Sequence, residues 1–223
     1  MNELLIVVPI KNEKLPYIPE DLDCDIMVSN AGKKLDKLYS KYTVFEDKNL
    51  SIPNTVTLGI KHAQLMGYKY IMFIDGGNRY GREDIPKVYH AAIKSNADVT
   101  IGSRYVNKSQ TEEIFIRNFF RVIIRKMFHL VYKNNIQDWT HAFRIYKIDC
   151  LDKELVNAIW KRDFKTGQGI HLFLLSYLLN KGKIVHEVPI HYTKSVGRIR
   201  LNKIIETLRV WKYAYNTNKM SRI

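Results

Sequence analysis

An α/β architecture, with a mostly parallel central sheet flanked by helices and an amphipathic helix at the C-terminal end, is the reading that this 223-residue chain supports. Short Val/Ile-rich runs alternate with segments of helical spacing, the signature of βαβ units with right-handed crossovers. The strand-like runs each end in polar loops. The hydrophobic fraction of 46% and charged fraction of 26% belong to a folded domain rather than a disordered chain.

Taken in order, Leu4–Ile10 is a continuous apolar run, read as a buried parallel strand that ends at Lys11-Asn12. Asp25–Ser29 is a second strand, ending at Asn30-Ala31-Gly32, and Tyr42–Phe45 a third. Thr55–Met66 has helical spacing, with Gly67 suited to its C-cap. Tyr70–Ile74 is a strand running into Asp75-Gly76-Gly77-Asn78. Ile85–Ser95 is a helix with Pro86 in its first turn, and Asp98–Gly102 another strand. Ile114–Lys133 is a long helix carrying Arg117, Arg121 and Arg125 as one basic stripe. Phe143–Tyr146 and Ile184–Tyr192 read as strands, and Ile170–Leu179 as a buried helix. Leu201–Tyr215 closes the chain as a helix with Leu201, Ile204, Ile205, Leu208, Trp211 and Tyr215 on one side.

Composition narrows the function. The two cysteines, Cys24 and Cys150, exclude a disulfide scaffold and a Cys-rich zinc site, and fit a reducing compartment. The opening MNELLIVVPIKNE lacks a basic stretch before its apolar run and does not read as a signal peptide. No run of about eighteen apolar residues occurs, so no membrane span is expected. The net charge is +14. Residues 1–111 carry 15 basic and 13 acidic groups, a net of +2; residues 112–223 carry 21 and 9, a net of +12. The second half is expected to face something anionic: nucleic acid, a phospholipid surface or a phosphorylated substrate.

In open parallel sheets, ligands bind beyond the carboxyl ends of the strands. Here those ends carry Pro9 to Glu13, Ser29 to Gly32, Asp75 to Arg79, and Ser103-Arg104. Glycine-rich phosphate loops of the dinucleotide-binding and P-loop types are absent, which argues against those two classes.

Five segments, in order, resemble family 2 glycosyltransferases of the GT-A fold, in the dolichol-phosphate mannosyltransferase-like branch. VVPIKNE is similar to that family's opening VVPTYNE, and YIMFIDGGNRYGREDIPKV aligns without a gap with YVVVMDADLQHPPEDIPKL. ADVTIGSRYV is close to ADVVIGSRYV, IQDWTHAFRIYK resembles VKDPTSGFRAYR, and KIVHEVPIHYTKSVGRIRLNKI resembles the closing basic loop and helix. The resemblance implies a single GT-A (nucleotide-diphospho-sugar transferase) domain over residues 1–223. Residues 1–111 would be the nucleotide-sugar donor half, 112–200 the acceptor half, and 201–223 an amphipathic basic helix and tail.

It further implies an inverting transfer from a UDP- or GDP-sugar, with the leaving diphosphate stabilised by a divalent cation, Mg²⁺ or Mn²⁺, on an Asp-x-Asp motif. The donor-binding set carried over is Pro9, Asn12, Glu13, Asn30, Asp75, Gly76, Gly77, Asn78, Arg79 and Arg104, with Asp75 as the metal carboxylate. Two departures stand out. The second acid of the motif is Gly77, leaving either a one-carboxylate metal site or charge neutralisation by Arg79, which stands where the family often has Gln. Asn30 replaces an acid at the end of the second strand.

Asp75, Arg104, Asp138 and His141 are the catalytic candidates. Arg104 corresponds to a phosphate-facing arginine, and Asp138 to a carboxylate orienting either an acceptor or a loop. His141 is unusual in its place and is a candidate general base or phosphate ligand; His171 stands where the family tends to have Glu. The acceptor set is Arg117, Arg121, Lys194, Arg198 and Arg200. An ionised phosphate acceptor needs cations and no strong base, whereas a hydroxyl acceptor needs Asp138 or His141.

Three functions follow. The first is a cytoplasmic enzyme, peripheral on the membrane, that glycosylates polyprenyl phosphate. Trp211, Tyr213 and Tyr215 on the last helix would then lie at the headgroups. The second is a phage-type enzyme of a host cytoplasm acting on hydroxylated DNA bases or another polyanion, with Trp139 stacking on an extruded base. The third is a non-catalytic nucleotide-sugar or nucleic-acid-binding relative.

Overall fold

The computed structural model describes residues 2–10, 16–32, 42–47, 51–77, 79–106, 109–111, 115–193 and 201–220; the side chains of 110–117 and 220 fall outside that description. A seven-stranded sheet organises the chain. Its strands are β1 (Leu4–Ile10), β2 (Cys24–Asn30), β3 (Thr43–Glu46), β4 (Tyr70–Phe73), β5 (Val99–Ser103), β7 (Arg144–Lys147) and β8 (Val185–Pro189). A second, two-stranded sheet pairs β6 (Gln110–Thr111) in parallel with β9 (His191–Tyr192). The main order is β3-β2-β1-β4-β7-β5-β8. β7 runs antiparallel to both its neighbours, and the other pairings are parallel.

Alternation along the strands builds a core on each face. Leu5 and Val7 of β1 join Ile71 and Phe73 of β4 in one cluster. Leu4, Ile6 and Val8 join Met72 and Ile74 in the other. The first face is covered by α1 (Ile52–Met66), α3 (Phe115–Tyr132), α4 (Lys153–Lys161), α5 (Gly167–Asn180) and α6 (Leu201–Met220). The second is covered by α2 (Asp84–Ser95), through Ile85, Val88, Tyr89 and Ala92.

The helix ends explain the bounds. α1 begins three residues before the expected Thr55. Ser51 caps it by accepting from the Asn54 N–H (3.3 Å), and Pro53 sits in the first turn, where its missing N–H costs nothing. It stops at Gly67, whose φ of 75° lies in the left-handed region. α4 had no counterpart in the sequence reading. Its signal was Asp152, which accepts from Leu155 N–H (2.8 Å) ahead of an amphipathic turn that buries Leu155, Val156 and Ile159.

Two expected elements are corrected. Ile184–Tyr192 is not one strand: after Pro189 the chain leaves the main sheet, and His191-Tyr192 pairs with β6 instead. The last helix runs on to Met220, and its apolar side is only partly buried: Trp211 packs against the core and donates from Nε1 to the Met127 carbonyl (2.9 Å). Glu206, Thr207, Val210 and Ala214 face inward, while Leu201 is 70% exposed and Leu208 51%. The reason lies in α5. Glu206 accepts from Thr166 N–H (3.1 Å), from Lys165 N–H and from the Thr166 hydroxyl, so a buried carboxylate caps the start of α5 and turns the rest of α6 outward.

Candidate active site

A cleft of about 500 Å³ opens at the carboxyl ends of β1, β4 and β5, between the two halves of the chain. Residues 1–111 supply Pro9, Asp75, Arg79 and Arg104. The second half supplies Arg121 from α3, Thr140 and His141 from the turn before β7, Lys165 and Gln168 around the start of α5, and Lys203 from α6. Phe120, Ile123, Ile124 and Met127 of α3 and Ile204 and Leu208 of α6 add an apolar wall beside these cations.

Asp75 and Arg79 are positioned by the chain around them. The Asp75 N–H donates to the Tyr80 hydroxyl (3.1 Å), and Tyr80 packs on Phe143 at 4.8 Å between ring centres. Asp84 accepts from Gly81 N–H (2.7 Å) and His191 N–H (3.0 Å), and Tyr80 bridges to Tyr192, so the loop is tied to β9. The Arg79 carbonyl accepts from Thr193 N–H (3.0 Å). Burial opposes the Arg79 charge, but Tyr192 and Asp75 outweigh it and its pKa lies above the ordinary value.

Arg104 and Asp138 form a fork. Arg104 Nε and Nη2 donate to Asp138 Oδ2 and Oδ1, both at 2.8 Å, and Arg104 Nη2 also reaches Thr140 Oγ1 at 3.0 Å. Asp138 accepts in addition from the backbone N–H groups of Arg104 (3.1 Å) and His141 (3.2 Å). Burial opposes ionisation of Asp138, yet the guanidinium of Arg104 holds its carboxyl well below the usual carboxylate range. Asp138 is fully buried and is not among the residues lining the cleft. Of the two expected roles, orienting an acceptor or a loop, its contacts are those of the second: it holds Arg104 and the 138–141 turn.

His141 lines the cleft, but its Nδ1 lies 2.6 Å from the Gly102 carbonyl. A carbonyl only accepts, so Nδ1 carries the proton. Burial, reinforced by Arg104, lowers the pKa of His141 to about 3. In that tautomer Nε2 is the ring atom left to accept a proton, and it has no hydrogen-bond partner among the described residues. His171 also lines the cleft, and burial pushes its pKa well down. Trp139 is no stacking platform for a base: it is 2% exposed and stacks between Phe128 (4.5 Å) and Tyr132 (5.8 Å).

The remaining expected residues divide. Arg121 lies on the cleft, held over the Tyr105 ring at 4.1 Å and by Asn118 Oδ1 at 2.9 Å. Asn30 does not line it; its Oδ1 accepts from Gly32 N–H (3.0 Å) and its Nδ2 donates to Glu46 (3.3 Å), fastening β2 to β3. Gly76 and Gly77 form the turn between Asp75 and Arg79, with Gly77 at φ 86°. Asn12, Glu13, Asn78, Lys194, Arg198, Arg200 and the Arg117 side chain lie outside the described residues. Lys165, Gln168 and Lys203 escaped the sequence reading. Thr166 ahead of Gly167-Gln168-Gly169 was the available signal, a cap followed by an open first helical turn.

A divalent cation was tested against the donor set. Among the described residues, Asp75 is the only carboxylate on the cleft wall, and no group of three His, Cys, Asp or Glu side chains is placed to hold a metal. Five cationic side chains share the same wall. Hard divalent ions select oxygen ligands, and among the described residues of this wall Asp75 is the one carboxylate that offers them.

This architecture is the GT-A glycosyltransferase fold. The neighbours that place it there are crystal structures of glucosyl-3-phosphoglycerate synthase from Mycobacterium tuberculosis. The complex with Mn²⁺, UDP and phosphoglyceric acid matches at a TM-score of 0.63 and 11% identity, over 97% of this chain and 78% of that one. The complex with Mn²⁺ and UDP-glucose matches at 0.62 and 11%, over 98% and 79%. In sequence, an uncharacterized protein of Methanocaldococcus jannaschii is 28% identical over 231 residues, covering 92% of this chain and 96% of that protein. No family model matches the chain.

Proposed function

We propose that the protein is a glycosyltransferase that moves a sugar from a UDP- or GDP-sugar to an anionic acceptor, and that the acceptor is a polyprenyl-type phosphate. The GT-A fold supports the donor class. The observation that carries the acceptor is the make-up of the cleft: five cationic side chains beside an apolar wall, with Asp138 locked to Arg104. A hydroxyl acceptor needs a base to take its proton, whereas an ionised phosphate oxygen attacks without one.

Arg121, Lys165 and Lys203 line the acceptor side, next to Phe120, Ile123 and Leu208. A phosphate head followed by a hydrocarbon chain matches that pairing. The DNA alternative would have Trp139 stack on an extruded base, and Trp139 is buried. In this reading residues 1–111 hold the donor, 112–200 hold the acceptor, and α6 closes the cleft. A phosphate oxygen of the acceptor attacks the anomeric carbon from the side opposite the diphosphate. The new C–O bond forms as the old one breaks, the nucleoside diphosphate leaves with the bonding pair, and the configuration inverts. Asp75 accepts a donor hydroxyl, and Arg79 and Arg104 face the leaving diphosphate.

The test is a transfer assay with radiolabelled UDP- and GDP-sugars. Undecaprenyl phosphate, dolichyl phosphate, 3-phosphoglycerate and hydroxymethylated DNA are offered as separate acceptors. Label is expected in the organic phase, on an inverted linkage. Transfer only to the water-soluble acceptors would overturn the lipid assignment, and no turnover of any donor would overturn the enzyme reading.

A further inference from the structure

We infer that the donor diphosphate is neutralised by the guanidinium of Arg79, so that the nucleotide binds without a divalent metal. This rests on the donor-site reading above and deepens it. A metal bridge needs at least one protein carboxylate that is not already facing a fixed cation, and it gains strength from a second. Asp75 is the only carboxylate lining the cleft among the described residues, and Arg79 shares its surroundings. A divalent ion placed there would sit against a guanidinium held in the same loop, and like charges at that range repel.

Arg79 is built for the substitute role. It is half-buried, it lines the cleft, and its backbone is pinned from both sides. Its N–H donates to the Gly77 carbonyl (3.0 Å), and its carbonyl accepts from Thr193 (3.0 Å). A planar guanidinium gives two parallel N–H donors to phosphate oxygens, a geometry that a fixed backbone makes specific. The other arginine of the donor half, Arg104, already has Nε and Nη2 on Asp138. Two of its donors are thereby committed to Asp138, so Arg104 faces the diphosphate beside Arg79 rather than in its place. Gly77, between Asp75 and Arg79, stands at φ 86°, a left-handed conformation that strains any acid placed there, which accords with the lack of a second acid in this loop.

The experiment is calorimetric titration of UDP and of GDP into the full chain, once with EDTA and once with Mn²⁺ or Mg²⁺. Affinities in the two conditions are expected to agree within about threefold, a difference well short of one lost charge-assisted hydrogen bond. Arg79→Gln is expected to weaken binding in EDTA by about tenfold or more, and Arg79→Lys, which keeps the charge, by less. A loss of binding in EDTA by the unaltered protein, with full binding in Mn²⁺, would overturn the inference while leaving the donor site standing. Absence of UDP and GDP binding in every condition would overturn the donor site, and the inference with it.

Discussion

Three buried ionisable side chains around β7 set the response of this protein to acid. His141 and His171 are 3% exposed and Asp138 is fully buried. For the histidines the sign is the same. Burial lowers each pKa, His141 to about 3 and His171 well below its ordinary value. The unfolded chain takes up protons near pH 6.5 or so, where the folded chain does not. Stability is therefore complete above that value and falls as pH drops below it. The slope approaches about 1.4 kcal/mol per pH unit for each histidine. Asp138 has the same sign, because its pKa is also depressed in the fold, but it acts in a more acidic window. Its depressed pKa contributes stability above about pH 4, and that contribution is lost only in stronger acid. Urea unfolding between pH 7 and pH 5 should show falling stability, and His141→Asn, which keeps a donor for the Gly102 carbonyl, should flatten the slope by one proton. An unchanged slope would mean that His141 is protonated in the fold. Arg104→Ala should cost about 3–5 kcal/mol at neutral pH, because it leaves a buried carboxylate unpaired. The motif around Gly102-Ser103-Arg104 was legible in the sequence. Its pairing to Asp138, 34 residues on, was not, because an ion pair between distant residues leaves no local pattern.

At the level of elements, periodicity found most of the secondary structure, but the inward face of α6 carries no apolar pattern that would announce it. Leu201, Ile204, Ile205, Leu208, Trp211 and Tyr215 do share a side of α6. A hydrophobic stripe of this kind normally marks the buried side. Here the inward residues are Glu206, Thr207, Val210 and Ala214, and no hydrophobicity pattern announces a glutamate as a core contact. What placed it is the demand of the α5 N-terminus for acceptors, together with the small residue Gly169 that lets α6 approach. A Cβ built on Gly169 would overlap the Glu206 carboxylate. Gly169→Ala is therefore expected to destabilise the protein by about 1–3 kcal/mol, as overpacking does. In a double-mutant cycle with Glu206→Ala, the second substitution should remove most of that cost while adding its own for the lost cap. Additive effects would show that α6 does not pack on α5 through this pair.

Across the whole molecule, the excess positive charge and the outward apolar stripe of α6 belong to the same half. Phe119 of α3 is 58% exposed, and Leu201, Ile205 and Leu208 of α6 are 70%, 38% and 51% exposed. α3 and α6 are also the helices that carry the apolar wall and two of the cations of the cleft. Among the described residues, no helix is long and apolar enough to cross a membrane. If the acceptor is a lipid phosphate, the chain has to meet it at the surface of a bilayer. Apolar side chains would then enter the headgroup boundary while Lys and Arg meet anionic lipid. Each basic residue near such a surface is worth about 1 kcal/mol, a term that salt screens, whereas the apolar contribution survives salt. Flotation with vesicles containing phosphatidylglycerol should recover the protein at low salt and progressively less as salt rises. Leu201→Asp with Ile205→Asp should abolish flotation while leaving the unfolding midpoint and UDP binding unchanged, since neither residue is in the core and neither lines the cleft. Flotation that ignores both substitutions would assign the exposed stripe no part in lipid contact. The acceptor would then have to reach the cleft from solution, as a soluble phosphate does.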